Sequence, residues 1–293
     1  MTATPSAPAH STTQLVLGGL EVFIFGAVPP PRTGASTSAI FFLHGRQSSA
    51  QESLAICQDL HAQLTTLLAP NPAPLVITFD QRNHGTRLVD AARNSAWKDG
   101  NATHAMDMYA LQWGTAVDVS TLIDTLPMAL AVDISAWGVC GISLGGHSTL
   151  LALANEPRLE CGVAIIGCGD YLALMTNRAA RMTKKAKTPE EAVLLPPASE
   201  VAVNRQLLAL LKLRDPVNRP EAFGGKAVLL LNGGADKLVP AACNQGFIAR
   251  VRDLKTPAKA FEEIVEEGVG HTTTDTMKAN TAEWFAKYFG HKA

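Results

Sequence analysis

The chain has 293 residues, 47% of them hydrophobic and 17% charged, with a formal net charge of −1. This composition excludes a disordered chain and allows one large α/β domain or two small ones. The near-zero charge gives no ground for nucleic-acid or membrane-surface binding.

Residues 1–13 are rich in Ala, Ser, Thr and Pro, with no basic segment ahead of an apolar one. They are expected to form a flexible tail and to be neither signal peptide nor membrane anchor. Gln14 to Gly18 and Glu21 to Ala27 read as a hairpin around Gly18-Gly19. Ala39 to Leu43 is a buried strand ending at His44-Gly45. Leu54 to Leu68 has helical apolar spacing. Pro74 to Phe79 is a second buried strand, closed by Asp80. After a polar stretch to His104, Met106 to Leu126 predicts a helix with Pro127 near its end. Ala136 to Cys140 predicts a buried strand and Gly146 to Ala154 a helix. Glu160 to Gly169, Lys226 to Asn232 and Ala260 to Val265 predict three more strands. In the C-terminal helix, Met277, Trp284, Phe285, Tyr288 and Phe289 form a core stripe. Apolar strands alternating with helices indicate a mostly parallel sheet covered on both faces.

The stretch 171–225 departs from this alternation. It is more charged, broken by five prolines, and too long for an ordinary connection. It reads as a small helical lid inserted into a core of residues 14–170 and 226–293. Its basic cluster, Arg178, Arg181, Lys184, Lys185 and Lys187, reads as a solvated helix face. The five cysteines contain no C-x-x-C pair, so metal and redox motifs are not expected. Their usage suits a reducing compartment, and a cytoplasmic protein is expected.

Gly141-Ile142-Ser143-Leu144-Gly145 is a G-x-S-x-G pentad between a predicted strand and a predicted helix, the context of a nucleophile elbow. A neutral serine hydroxyl needs a base, usually a histidine supported by a carboxylate. Two late strands supply them: Leu229 to Asp236 runs into an acid, and Ile264 to His271 runs into a histidine. Asp170, after the strand that follows the elbow, is a rival acid; Asp236 is preferred.

With these motifs, His44-Gly45 and Asp80-x-Arg82-x-His84-Gly85, the chain resembles the α/β-hydrolase superfamily from about Gln14 to the C-terminal helix. The resemblance implies an α/β-hydrolase fold and an order Ser143, Asp236, His271. It implies Ser143 as nucleophile, His271 as base and then acid, and Asp236 as the group that fixes the imidazole. The Leu144 N–H would be one oxyanion donor. The other would be the N–H of Arg46, with Gln47 as the alternative. Asn83 stands where the family's motif has glycine, and the His44 loop is not HGGG.

His44 and His84 are expected to bond loop backbone, and His147 to pack at the helix start. Arg46 and Arg82 read as loop-ordering, with a substrate carboxylate as the alternative. Gln47, Trp97, His104 and Met108 are candidate pocket residues, the last three weighed equally as packing. The function expected is a serine hydrolase for a small or medium carboxylic ester, thioester or lactone, without metal or organic cofactor. The alternatives are a peptidase or amidase, and a non-hydrolytic lyase or ligand receptor.

Overall fold

The computed structural model describes residues 12–30, 36–183 and 203–289. Eight strands form one sheet: β1 (Thr12–Leu17), β2 (Leu20–Phe25), β3 (Ser36–Leu43), β4 (Leu75–Phe79), β5 (Asp133–Ile142), β6 (Leu159–Ile165), β7 (Ala227–Gly233) and β8 (Ala260–Glu266). Their spatial order is β1-β2-β4-β3-β5-β6-β7-β8. The first two pairings, β1 with β2 and β2 with β4, are antiparallel; every other neighbour is parallel. The chain thus starts at one edge, steps from β2 past one position to β3, returns to fill the gap with β4, and then winds through β5 to β8 to the other edge.

Alternate residues of each central strand feed two cores. Phe41, Leu43, Val139, Val228 and Leu230 pack on one face with α2 (His104–Leu130), α3 (Leu144–Asn155) and α6 (Gln245–Arg252). Ile40, Phe42, Cys140, Leu229 and Leu231 pack on the other with α1 (Leu54–Leu68) and α7 (Asp275–Phe289). Burial on both faces is why these strands read as unbroken apolar runs. All five cysteines are buried and free.

A third cluster covers the C-terminal ends of the strands. Here Leu174 and Met175 of α4 (Tyr171–Thr183) and Leu207 and Leu211 of α5 (Arg205–Arg214) meet Leu144, Met108 and Tyr109. These helices belong to the described part of the expected lid, which also includes residues 215–225, where Val217 and Phe223 pack into the sheet core; residues 184–202, with Lys184, Lys185 and Lys187, lie outside the described residues. So do residues 1–11 of the expected tail. Thr12 and Thr13 of that tail belong instead to β1, paired with Phe25 and Ile24.

Two predicted boundaries move for local reasons. The helix expected to end at Leu126 continues through Pro127 to Leu130, because a proline in the last turn forfeits only one hydrogen bond. The strand expected to reach Gly169 stops at Ile165, because Ile166 has φ +45° and cannot extend the pleat.

Candidate active site

Ser143 sits between β5 and α3 with φ +53° and ψ −106°, a conformation costly for any residue with a Cβ. Its surroundings hold it there. The Ser143 N–H donates to the Ile165 carbonyl at 2.9 Å, and the Ser143 carbonyl accepts the His147 N–H at 2.9 Å. Close backbone packing explains the flanking glycines: a Cβ on Gly145 would collide with the Leu43 carbonyl oxygen, and one on Gly141 would lie 2.6 Å from Gly145 backbone.

The loops after β7 and β8 bring the other two groups. Ser143 Oγ lies 2.9 Å from His271 Nε2, and His271 Nδ1 lies 2.7 Å from Asp236 Oδ2. The Asp236 side chain is fully buried, whereas the His271 ring is 23% exposed and open to a reactant. Burial by itself would raise the Asp236 carboxyl. The bond from His271 and the N–H groups of Val239 and Leu238, at 2.9 and 2.7 Å, outweigh it and hold the carboxyl below the usual range. Asp236 is therefore ionised at neutral pH and accepts the Nδ1 proton, leaving the Nε2 lone pair toward Ser143. The rival Asp170 is engaged elsewhere: its Oδ1 accepts the Ala173 N–H at 2.9 Å and caps α4.

The expected oxyanion donors also lie at this turn. Leu144 is the first residue of α3, so its N–H has no intrahelical partner. The loop after β3 runs beside the elbow, where a Cβ on Gly45 would lie 3.7 Å from the Ile142 carbonyl oxygen. The N–H groups of Arg46 and Gln47 have no partner among the described residues. A buried network fixes this loop. His44 Nδ1–H donates to the Gly45 carbonyl at 2.8 Å, and Nε2 accepts the Gln81 N–H at 3.1 Å. Burial lowers the His44 pKa to about 4, so the ring is neutral. Gln81 Nε2 donates to the His44 carbonyl, and Ser148 Oγ of α3 donates to Gln81 Oε1 at 3.3 Å. Asp80 accepts the N–H groups of Ala50 and Thr86, each at 2.7 Å. His84 Nδ1 bonds the Arg82 carbonyl at 2.9 Å, and Arg82 pairs with Asp118 at 3.2 Å.

The candidate pocket residues divide. Gln47 is exposed, with φ +67°. Trp97, His104 and Met108 are buried in the cluster that contains Leu144, the Trp97 and His104 rings 5.1 Å apart edge to face. His147 is 2% exposed beneath the nucleophile, and its Nδ1 accepts the Cys168 N–H at 2.8 Å. Burial lowers its pKa to about 3 and keeps it neutral.

Arg178 is the residue that sequence reasoning misplaced. It does not belong to a solvated face. It is half-buried, its Nε donating to the Leu238 carbonyl at 3.3 Å and its Nη1 meeting His104 Nε2 at 3.4 Å. Among the described residues, no group of three or more His, Cys, Asp or Glu is placed to hold a metal ion, and no helix is long and apolar enough to cross a membrane.

The Peptidase_S9 model, which describes the prolyl oligopeptidase family, matches residues 106–292, well over half of the chain and all three of Ser143, Asp236 and His271. The chain belongs to the prolyl oligopeptidase family. This family member is 27% identical over 253 residues to "Putative esterase YitV" of Bacillus subtilis (strain 168), covering 85% of this chain and 88% of that protein. Its structure resembles TT1662 from Thermus thermophilus with a TM-score of 0.69 at 23% identity, over 97% of this chain and 99% of that one. It also resembles the Pyrococcus furiosus esterase Pf2001, with a TM-score of 0.57 at 17% identity over 95% and 90% of the two chains. A Mycobacterium tuberculosis puromycin-hydrolyzing peptidase gives a TM-score of 0.59 at 16% identity, over 95% of this chain but 39% of that one. With the sheet described above, these likenesses establish the α/β-hydrolase fold, and the family makes the protein a hydrolase of the serine peptidase and esterase type.

Proposed function

We propose that the protein hydrolyses a small or medium carboxylic ester, thioester or lactone through an acyl-enzyme on Ser143. The observation that carries this reading is the continuous relay Ser143 Oγ, His271, Asp236, with contacts of 2.9 and 2.7 Å. Ser143 Oγ attacks the carbonyl carbon while His271 Nε2 takes its proton. The oxyanion faces the N–H groups of Leu144 and Arg46, each such donor contributing about 3 kcal/mol to the barrier reduction. His271 then gives its proton to the leaving alcohol, thiol or ring oxygen. A water, deprotonated by His271, cleaves the acyl-enzyme and restores the serine. Asp236 stays ionised throughout and holds the imidazolium.

The choice of esters rests on relatives: YitV carries an esterase name and matches over most of its length. Amide cleavage is the second reading, favoured by the family's own description and by the puromycin-hydrolyzing neighbour. A fluorophosphonate probe tests the nucleophile. Labelling mapped to Ser143 by mass spectrometry, and lost in Ser143→Ala, is expected; folded protein left unlabelled overturns the serine mechanism. Matched ester, thioester, lactone and amide substrates then separate the readings, and faster turnover of the amide overturns the ester assignment.

A further inference from the structure

Two guanidinium groups stand beside the relay without an ion-pair partner among the described residues. Arg46, on the loop that carries the expected oxyanion donor, is half-buried, and its Nη1 donates to the Asn94 carbonyl at 2.7 Å. Arg178 reaches from α4 to the Leu238 carbonyl, two residues past Asp236, at 3.3 Å. The N–H of that same Leu238 donates to Asp236. The second contact of Arg178 is with His104. His104 Nδ1 donates to the Ser95 carbonyl at 2.9 Å, so Nε2 is the lone pair that accepts from Arg178. Burial, followed by the charge of Arg178, lowers the His104 pKa to about 4, so this acceptor is neutral too.

Among the described residues, neither arginine has a carboxylate within ion-pair distance. The arginines of the neighbouring loop do: Arg82 and Arg87 share Asp118 at 3.2 and 2.7 Å, and Arg93 meets Asp90 at 3.3 Å. The charge of Arg46 disfavours ionisation of Arg178 and both bear on His104, whereas Arg46 itself is shifted by burial against only the more distant carboxylate of Asp99. Partly buried like charges that converge on neutral acceptors are unfavourable unless an anion completes them. A guanidinium fork fits a carboxylate or phosphate with two parallel hydrogen bonds.

We infer that Arg46 and Arg178 form a subsite for an anionic group of the substrate, which is an ester, thioester or lactone that also carries a carboxylate or phosphate. This rests on the hydrolase reading and adds the substrate class. One guanidinium extends from the oxyanion loop and the other from α4, bonded to the loop of the triad acid, so the anion is held beside the scissile carbonyl.

Turnover of monoethyl succinate, ethyl 3-phosphonopropanoate and ethyl butyrate, followed by acid release, tests it. The wild-type ratio of kcat/KM, anionic over neutral ester, is expected to exceed tenfold and to shrink with added salt. The ratio should fall at least tenfold in Arg178→Gln and in Arg46→Gln, chiefly through KM, and persist in Arg82→Gln. The succinate and phosphonate arms distinguish a carboxylate from a phosphate site. A wild-type ratio near one, or equal loss on all three esters in both arginine variants, overturns the subsite. Calorimetric binding of monoethyl succinate to Ser143→Ala protein reads the subsite without turnover. Binding no tighter than that of ethyl butyrate would sink it even where Ser143 labels with the fluorophosphonate, and loss of labelling alone would sink only the hydrolase reading.

Discussion

Ser143 holds the backbone strain of the site and Asp236 its permanent charge. The strain is maintained by close neighbours: the Ile165 carbonyl that accepts the serine N–H, and the backbone packed against Gly141 and Gly145. The charge is maintained by three hydrogen bonds inside a fully buried pocket. Asp236→Asn removes that charge and presents an amide where a carboxylate accepted, which selects the wrong imidazole tautomer. We expect kcat on an activated ester to fall about ten-thousand-fold with the fold intact, as steady-state kinetics and circular dichroism would show. Arg178 marks the limit of reading at this scale. A basic residue among Arg181, Lys184 and Lys185 has the spacing of a wetted helix face, and only folding brings the Leu238 carbonyl and His104 to it.

Among the elements, the loop after β4 holds the loop of the expected oxyanion donors through Asp80 and Gln81, and Asn83 shapes its turn. Asn83 has φ +57°, the region where asparagine is the best tolerated side chain after glycine. Its Oδ1 accepts the N–H groups of Val89 and Asp90 at 3.0 and 2.9 Å, and its Nδ2 donates to the Asp90 carbonyl at 2.7 Å. The departure from the family's glycine thus keeps the backbone shape and adds a clasp. Asn83→Ala loses both and is expected to cost about 2 kcal/mol in chemical denaturation. Asn83→Gly should recover only the backbone part; full recovery would show that the clasp contributes nothing. The motif was legible as a family resemblance at the end of a buried strand. Its bonding partners were not, because Val89, Asp90 and Asn94 form no periodic pattern.

For the molecule as a whole, acid sensitivity follows from four buried histidines whose pKa burial lowers, His84 among them. His44, His104 and His147 are depressed by burial to about 4, about 4 and about 3. The unfolded chain holds them near 6.5, so between about pH 6.5 and pH 4 it binds more protons than the folded one. Their neutral burial costs nothing above that window, and stability falls as the pH drops through it, by on the order of 1 kcal/mol per unit for each histidine. The urea midpoint is expected to decline steadily from pH 6.5 to 4.5, with a shallower slope in His104→Gln. A flat profile over that range would refute the assignment.

Local pattern was enough for the strands, for the elbow, and for the order of serine, acid and histidine along the chain, because side-chain burial on a two-sided sheet leaves a periodic or continuous apolar trace. It was also enough to single out Asp236 and His271 as groups at strand ends. The distances that join them, the burial of Trp97, His104 and Met108, and the settings of Arg46 and Arg178 depend on contacts between residues remote in the chain. Such contacts have no period and no local propensity, so only the packed molecule expresses them.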